Sequence, residues 1–333
     1  MEHIGISGIS TYIPEKRYNT CKLIESGYIQ EIVFNKIGVT EVPVGQLEDT
    51  PTEMAIRAAI KLMDQLDVDS DDIDIIVYVG ATPPDYLLWS PAAKVADALN
   101  IKNAFCFEMQ LGCGGVQAAI QAIKAMMLGG NQWNKALIVA ADMWDAYTKE
   151  RSGAGLIFGD SAAATLLEKG KDVSHRLVSF NGFTDGQFHS LGHLTDGTAY
   201  TKNLSNQYPN LPDGQYSIIN KSKIPALNKL NIKNYKKVTE NVLIDSGWEL
   251  RDIKYLILPS GRVDLMKKIA SEFSFLHEST NIPFLSKQGD LGAPGLLVDL
   301  DNLARTHSLQ KGDKILALSA GVGITWMALT IQV

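Results

Sequence analysis

The sequence predicts a layered α/β protein made of two similar halves. Near-continuous runs of Ile, Val and Leu alternate along the chain with amphipathic segments such as 52–66. Apolar runs of this kind are typical of strands that are covered on both faces. The chain also repeats itself weakly, because the run at 72–78 has a counterpart at 252–258 and the run at 135–141 has one at 314–320. We therefore expect a duplicated α/β unit.

Each half follows the same order of elements. An apolar run is followed by an amphipathic helix, at 52–66 in the first half and at 235–246 in the second, then by another run, another helix and two closely spaced strands. We place the boundary so that the first half is 1–172 and the second is 173–333. Residues from about 185 to 222 show little periodicity and are rich in Asn, Gly, Asp, Tyr and Ser. This composition predicts a long loop, and long loops often bind ligands or form lids.

Composition and charge limit the classes of partner. The chain has 333 residues, 45% hydrophobic and 20% charged, as expected for one or two soluble domains, and its net charge of −6 argues against nucleic acid or an anionic membrane as a main partner. No stretch reaches about 18 consecutive apolar residues, and the N-terminus lacks the features of a signal peptide. The three cysteines, Cys21, Cys106 and Cys113, leave an odd thiol and show no metal-ligand spacing, so we expect no metal site and a reducing, cytoplasmic location.

Cys113 is the strongest candidate for a catalytic residue. It lies in the segment 108–115, where an apolar strand turns through glycines into a helix that ends at Gly129-Gly130. The positive end of a helix dipole can lower the pKa of a thiol from about 8.5 to roughly 3.5–7.5. Flanking glycines also let a substrate carbonyl approach backbone N–H donors that form an oxyanion hole. We expect a nucleophilic thiolate; a buried cysteine acting as a small apolar residue is the alternative.

Several motifs in a fixed order indicate a known family. They are Gly5-Ile6-Ser7-Gly8, Tyr12-Ile13-Pro14, Thr82-Pro83-Pro84-Asp85, the glycine block around Cys113, Phe158-Gly159-Asp160-Ser161-Ala162-Ala163 and Gly321-Val322-Gly323-Ile324-Thr325-Trp326. With them the chain resembles the β-ketoacyl-acyl carrier protein synthase III branch of the thiolase superfamily over nearly its whole length. The resemblance implies a thiolase-like fold with five α/β/α/β/α layers, a dimer, and an acyl-accepting Cys113. It also implies that the backbone N–H groups of Cys113 and Val322 form the oxyanion hole.

Two residues of the family's Cys-His-Asn triad are replaced in this chain. The histidine follows a strand-ending proline in the family, and Ser260 follows Pro259 here; the asparagine follows a glycine, and Asp290 follows Gly289 here. Serine donates only one hydrogen bond, and an ionised Asp290 donates none and repels an enolate. Decarboxylative condensation is therefore expected to be impaired. Asp290 is a candidate general base for an acceptor, with a capping or salt-bridged aspartate as the alternative.

Other positions matched to the family bear on the substrate. The resemblance places Lys36 and Arg151 where the family contacts coenzyme A, whereas Ile32 lies near the place of a tryptophan that stacks on adenine. We therefore expect a thioester of coenzyme A or of a carrier-protein phosphopantetheine as substrate, and no permanently bound cofactor. His189 and His193 suggest metal ligands or a substitute base, but loop histidines are the preferred interpretation. Structural roles are expected for Glu108, which we place at the start of the strand leading to Cys113, and for Cys21 and Cys106.

Three functions compete at this level. The first is a synthase III-type acyltransferase that moves an acyl group from acyl-coenzyme A or acyl carrier protein through Cys113 to an acceptor in specialised, polyketide or fatty-acid-like, biosynthesis. The second is a carbon–carbon bond-forming 3-oxoacyl-carrier-protein synthase that uses Asp290 or a loop histidine. The third is a weakly active partner of a related synthase in a heterodimer, in place of a homodimer. A hydroxymethylglutaryl-coenzyme A synthase is disfavoured because Gly80-Ala81-Thr82-Pro83 lacks its catalytic glutamate.

Overall fold

The computed structural model describes residues 2–130, 132–194, 216–218 and 220–333. Most of the loop predicted at about 185–222 lies outside these residues. Among the described helices, none combines the length and the apolar character needed to cross a bilayer.

The first part of the chain alternates strands and helices as the sequence predicts. Its elements are β1 (His3–Tyr12), β2 (Arg17–Asn19), α1 (Lys22–Glu25), α2 (Glu31–Ile37), β3 (Glu41–Pro43), α3 (Pro51–Leu66), β4 (Ile75–Val79), α4 (Pro91–Ala98), β5 (Phe105–Met109), α5 (Gly115–Leu128), β6 (Lys135–Asp142), β7 (Ser152–Gly153), β8 (Leu156–Ile157) and β9 (Ser161–Gly170). Helix α3 begins where Thr50 accepts a hydrogen bond from the Glu53 N–H and Pro51 occupies the first turn.

The second part repeats the pattern with a longer outer helix. Its elements are β10 (Arg176–Thr184), β11 (Gly192–His193), β12 (Ser217–Ile218), α6 (Ile224–Ser246), β13 (Tyr255–Ile257), α7 (Val263–Glu272), α8 (Ile282–Gln288), α9 (Gly295–Thr306), β14 (Lys314–Gly321) and β15 (Thr325–Gln332). The helix predicted from residue 235 begins eleven residues earlier, at Ile224, with Pro225 in its first turn. It ends at Gly247, which takes the left-handed conformation with φ of 66°.

Strand order shows the duplication directly. The strands are ordered β13-β14-β15-β10-β1-β9-β6-β4-β5. In one half β4 runs parallel to β6, which is antiparallel to β9, and β9 is antiparallel to β1. In the other half β13 runs parallel to β14, and β14, β15 and β10 follow in antiparallel pairs. One residue pair, Gly5 and Arg176, joins the two halves through β1 and β10.

Alternate residues of each sheet face different core clusters. On β4, Ile75 and Val77 pack with α5 and α9 in a central cluster, whereas Ile76 on the opposite face packs with α3 and α4. On β14, Ile315 joins the central cluster, and Leu316 packs with α6 and α7 in a third cluster. The two halves of this nine-stranded sheet thus enclose a central helix layer and carry outer helices. The predicted five-layered α/β fold is confirmed.

Candidate active site

One cavity of about 200 Å³ brings together four residues predicted to act in catalysis, Cys113, Ser260, Asp290 and Val322. Its walls come from the start of α5, the segment after β13, the loop before α9 and the turn between β14 and β15. Because β13 and β14 are parallel neighbours, their carboxyl ends lie at the same edge of the sheet. The duplicated topology therefore explains why sites distant in sequence converge here.

Two glycines allow Cys113 to lie against the turn between β14 and β15. Gly112 and Gly114 flank it in a short 3-10 turn that leads into α5. A Cβ at Gly112 would lie 2.6 Å from the Val322 Cγ1 and one at Gly114 would lie 2.2 Å from the Met327 Cε. Larger residues at these positions would push the turn away from the cysteine. The helix start predicted around Cys113 is present, and α5 ends at Gly129.

Asp290 is held by its backbone next to Cys113. Its N–H donates to the Ile157 carbonyl at 2.8 Å, and its own carbonyl accepts from the Gly159 N–H at 3.0 Å. The side chain is 4% exposed, and its Oδ1 accepts a 2.9 Å hydrogen bond from the Gly292 N–H. The same Oδ1 lies 3.9 Å from the Cys113 Sγ, within range of a thiol hydrogen bond. Asp290 therefore caps its own loop and contacts Cys113 at the same time.

The electrostatics of Cys113 differ from what its helix position predicts. Burial raises the pKa of the thiol well above its usual value, and the carboxylates of Asp290 and Asp142 raise it further. Burial also raises the pKa of Asp290, although the Gly292 N–H and the Cys113 thiol partly oppose this shift. The pair consequently holds a proton between the two side chains, with the thiol donating to the carboxylate. The helix dipole does not by itself produce a free thiolate, and a base is needed to form one.

Val322 and Ser260 are placed beside the cysteine with different hydrogen-bonding states. The Val322 N–H donates to the Leu111 carbonyl at 3.3 Å, so it is not free to bind an oxyanion unless this long bond yields. The predicted oxyanion role of Val322 thus needs a local rearrangement. Ser260 is half-buried, and its Oγ would lie 3.8 Å from a Cβ placed at Gly295. Its hydroxyl has no hydrogen-bond partner among the described residues.

Two further buried carboxylates near Cys113 were not predicted. Asp142, at the end of β6, accepts from the Ala81 N–H, the Thr82 N–H and hydroxyl, and the Ala293 N–H at 2.6 to 2.8 Å. Asp299, on α9, lines the cavity itself and is 1% exposed. Burial raises the pKa of each to about 7. The available signal was an aspartate inside an otherwise apolar run, since such a charge is rarely buried without a partner.

The two positions matched to coenzyme A contacts are placed away from the cavity walls. Lys36 is exposed in the last turn of α2. Arg151 is 3% exposed, and its guanidinium donates to Asp160 at 2.5 Å with Asp145 3.3 Å away. The predicted role of Arg151 in binding a nucleotide stays a prediction; in this arrangement the guanidinium is buried in an ion pair. Ile32 is 64% exposed, as a residue near a ligand entrance can be.

The remaining candidates lie outside the cavity. Glu108 is the last residue but one of β5, not the start of the strand as predicted. Its Oε1 accepts a 2.6 Å hydrogen bond from the Ser90 hydroxyl at the beginning of α4. His189 follows a 3-10 turn and His193 lies in β11. Cys21 and Cys106 are free thiols. In the part of the chain that the structure describes, no cluster of three or more His, Cys, Asp or Glu side chains is arranged to hold a metal ion.

Comparisons with known proteins agree with this geometry. The family model of 3-oxoacyl-[acyl-carrier-protein (ACP)] synthase III matches residues 107–186, and the model of its C-terminal part matches residues 243–333, together about half of the chain. A β-ketoacyl-[acyl-carrier-protein] synthase III of Clostridium botulinum is 25% identical over 340 residues, with 99% of each chain covered.

Solved structures share the fold over almost the entire chain. The 3-oxoacyl-[acyl-carrier-protein] synthase III of Aquifex aeolicus superposes with a TM-score of 0.83 at 21% identity, covering 99% of this chain and 100% of that one. ChlB3, described as an acyltransferase, gives a TM-score of 0.83 at 22% identity, with coverage of 99% and 98%. At these identities the superpositions establish the fold alone.

Proposed function

Because this chain belongs to the 3-oxoacyl-[acyl-carrier-protein] synthase III family, we propose that it is an acyltransferase that carries an acyl group as a thioester on Cys113. The observation that supports this most is the 3.9 Å contact between the Cys113 Sγ and the Asp290 Oδ1 in a cavity at a helix start. A nucleophile next to a buried base is the arrangement that covalent acyl transfer requires. The acyl group then passes to an acceptor that Asp290 deprotonates.

In the first half-reaction the Cys113 sulfur attacks the carbonyl carbon of an acyl thioester. Asp290 takes the thiol proton as the new carbon–sulfur bond forms. The tetrahedral intermediate is stabilised by backbone N–H donors, of which the Cys113 N–H is the nearest to the reacting sulfur. When the intermediate collapses, the donor thiol leaves with the proton from Asp290, and the protein carries the acyl thioester.

In the second half-reaction an acceptor bearing a hydroxyl, amine, thiol or acidic methylene attacks the acyl carbon. Asp290, ionised again, removes the acceptor proton, and Cys113 leaves as a thiolate that takes a proton back. A carboxylate whose pKa is raised by burial is a better base at neutral pH than an exposed one. The general base is thus needed for the acceptor as well as for the thiol.

Carbon–carbon bond formation is the second candidate. Stabilising the enolate from a malonyl thioester requires hydrogen-bond donors, and the loss of one such donor costs about 2.7–4 kcal/mol. Ser260 supplies one donor from a short side chain. The raised pKa of Asp290 favours a protonated form that also donates one hydrogen bond, so a slow condensing activity is compatible with the site.

We propose that the donor is an acyl-carrier-protein or acyl-coenzyme A thioester in specialised biosynthesis in the cytoplasm. Burial of Arg151 removes one expected contact for the coenzyme A nucleotide, which favours a carrier-protein donor. The ChlB3 structure, described as an acyltransferase, adds support from the same fold. A homodimer, or a heterodimer with a related synthase, is proposed as the working assembly.

The test is intact-protein mass spectrometry after exposure to a panel of acyl-coenzyme A and acyl-carrier-protein donors. We expect a mass increase equal to one acyl group, absent in Cys113→Ala. Ser260→Ala serves as a matched cavity variant that should still be acylated. Acylation that persists in Cys113→Ala contradicts the proposal. No acylation by any donor in the panel would favour the weakly active partner subunit instead.

A further inference from the structure

The cavity around Cys113 contains a second buried carboxylate, Asp299, which the half-reactions described above do not use. Its side chain is 1% exposed and lines the cavity together with Cys113 and Asp290. Gly295, one helical turn before it on α9, also lines the cavity, so this face of the helix looks onto the reacting groups. A charged residue in this position requires an explanation, because burial without a cationic partner is costly.

Asp299 connects the two segments that carry Ser260 and Asp290. Its Oδ2 accepts from the Asn281 Nδ2 at 2.5 Å, and the Asn281 amide in turn holds the Leu258 N–H and carbonyl at 2.9 and 3.0 Å. Its Oδ1 accepts from the Gln288 Nε2 at 2.7 Å. Leu258 lies two residues before Ser260, and Gln288 lies two residues before Asp290. One carboxylate therefore fixes both segments, with one oxygen for each.

The charges that face Asp299 are all acidic. The titratable side chains that line the cavity with it are Cys113, Tyr216 and Asp290, and Asp142 lies behind Gly292, 2.1 Å from the position of a Cβ there. No lysine, arginine or histidine is among the described residues of the lining. Two buried carboxylates without a cation hold a proton more tightly than either would alone. Above the pKa of Asp299, about 7, each proton that Asp290 takes from the thiol or from an acceptor is therefore stabilised by an ionised Asp299.

We propose that Asp299 is a positioning residue for acyl transfer: it aligns the Ser260 and Asp290 segments and, as a second carboxylate in the cavity, makes Asp290 a stronger base. This inference rests on the proposed function, because it assigns Asp299 to the base of that reaction. The structure shows no contact between Asp299 and the Cys113 sulfur, so Asp299 acts through Asp290.

The test separates the two half-reactions with 4-nitrophenyl butyrate as acyl donor and water as acceptor. Release of 4-nitrophenol in a burst reports acylation of Cys113, and the later steady rate reports hydrolysis of the acyl thioester. Both are measured as a function of pH for the wild type, Asp299→Asn and Asp301→Asn. Asp301 is a matched control because it lies on the same helix, pairs with Arg305 at 2.9 Å and is outside this cavity.

We expect the wild-type hydrolysis rate to rise through an inflection near pH 7, where Asp299 ionises and makes Asp290 a stronger base, and Asp299→Asn to lose that inflection. The maximal hydrolysis rate should fall roughly three- to tenfold, less than the about 10²–10⁴-fold expected for loss of the base itself. Asp301→Asn should match the wild type in both respects. A purely structural role would reduce the amount of active protein without removing the inflection.

Two further variants keep the outcomes distinct. If Asp299→Asn does not fold, Gln288→Leu removes one donor to Asp299, disfavours its ionised form and should move the inflection to higher pH. An inflection that persists in a folded Asp299→Asn protein, or stays in place in Gln288→Leu, overturns the inference, even if Asp290→Asn abolishes hydrolysis. If Asp290→Asn instead leaves hydrolysis unchanged, the proposed function fails, and this inference fails with it.

Discussion

The substitution Asp290→Asn is predicted to affect the two half-reactions to very different extents. The carboxylate lies 3.9 Å from the Cys113 Sγ, so in the wild type a thiolate must form next to a negative charge. Two unit charges about 4 Å apart interact with about 1 kcal/mol in water and about 4 kcal/mol at an effective dielectric constant near 20. Removal of the carboxylate should therefore lower the pKa of the Cys113 thiol by about one to three units.

The same change should slow the transfer of the acyl group. Asparagine cannot take a proton, so the acceptor loses its base, and general-base catalysis contributes about 10²–10⁴-fold in rate. Acylation by an activated donor should be slowed less than transfer, because the lower pKa of the thiol partly offsets the loss of the base. The acyl-enzyme is thus expected to accumulate in Asp290→Asn.

Alkylation by iodoacetamide measures the first effect, since only the thiolate reacts. Its rate is followed by intact mass between about pH 5 and pH 10, the range around the usual thiol pKa. Cys113→Ala corrects for alkylation of Cys21 and Cys106, and Asp301→Asn controls for loss of a carboxylate elsewhere. An alkylation midpoint that stays in place or rises would refute the electrostatic reasoning, and an undiminished rate of deacylation would refute the base assignment.

Four other predictions follow from the same geometry. Ser260→His combined with Asp290→Asn should raise carbon dioxide release from a malonyl thioester, measured with labelled malonyl donor, whereas either single change should do little because the two donors act as a unit. Gly292→Ala should lower the melting temperature and both half-reaction rates, because its Cβ would lie 2.1 Å from the Asp142 Oδ2. The free energy of unfolding should fall by about 1–3 kcal/mol. Gly247→Ala, where φ is a similar 66° and no atom lies near the added Cβ, isolates the backbone contribution. The folded-state pKa of Asp299, about 7, is raised above the ordinary value of 3.8. The contribution of this group to stability therefore decreases as pH rises from about 4 to about 7. The difference in melting temperature between wild type and Asp299→Asn should change over that pH range. Light scattering at micromolar concentration should give a dimer, and a clean monomer of 36.4 kDa would count against the proposed assembly.

The duplicated fold was predictable because it depends on patterns that repeat within the chain. Strands β4 and β13 were predicted from one pair of equivalent apolar runs, and their neighbours β6 and β14 from a second pair of runs. The start of α5 was predictable as well, since glycines and a regular apolar spacing mark it locally. The start of α6 at Ile224 was missed, although Pro225 in the first turn and the apolar residues Leu227, Leu230 and Ile232, which pack against the core, mark it.

The chemistry of the site was harder to predict from the sequence. The helix position of Cys113 predicted a lowered thiol pKa, but burial and two carboxylates brought by β6 and the loop before α9 raise it. Arg151, matched to a coenzyme A contact, is instead buried beside Asp160. The carboxylates near Cys113 are distant in sequence and adjacent in space, which no local pattern reports.

Ser260 and Asp290, proposed to replace the family's histidine and asparagine, together set the sign of the charge that the cavity favours. A histidine and an asparagine supply N–H donors, which stabilise a developing enolate; a serine and an aspartate supply one hydroxyl and one acceptor of protons. Asp299 adds a second carboxylate behind Asp290, and no described basic side chain lines the cavity to offset it. Such a cavity disfavours the negative charge of a decarboxylating malonyl group and favours removal of a proton from a neutral acceptor. The proposed Cys113 thioester is therefore better suited to acyl transfer than to decarboxylative condensation.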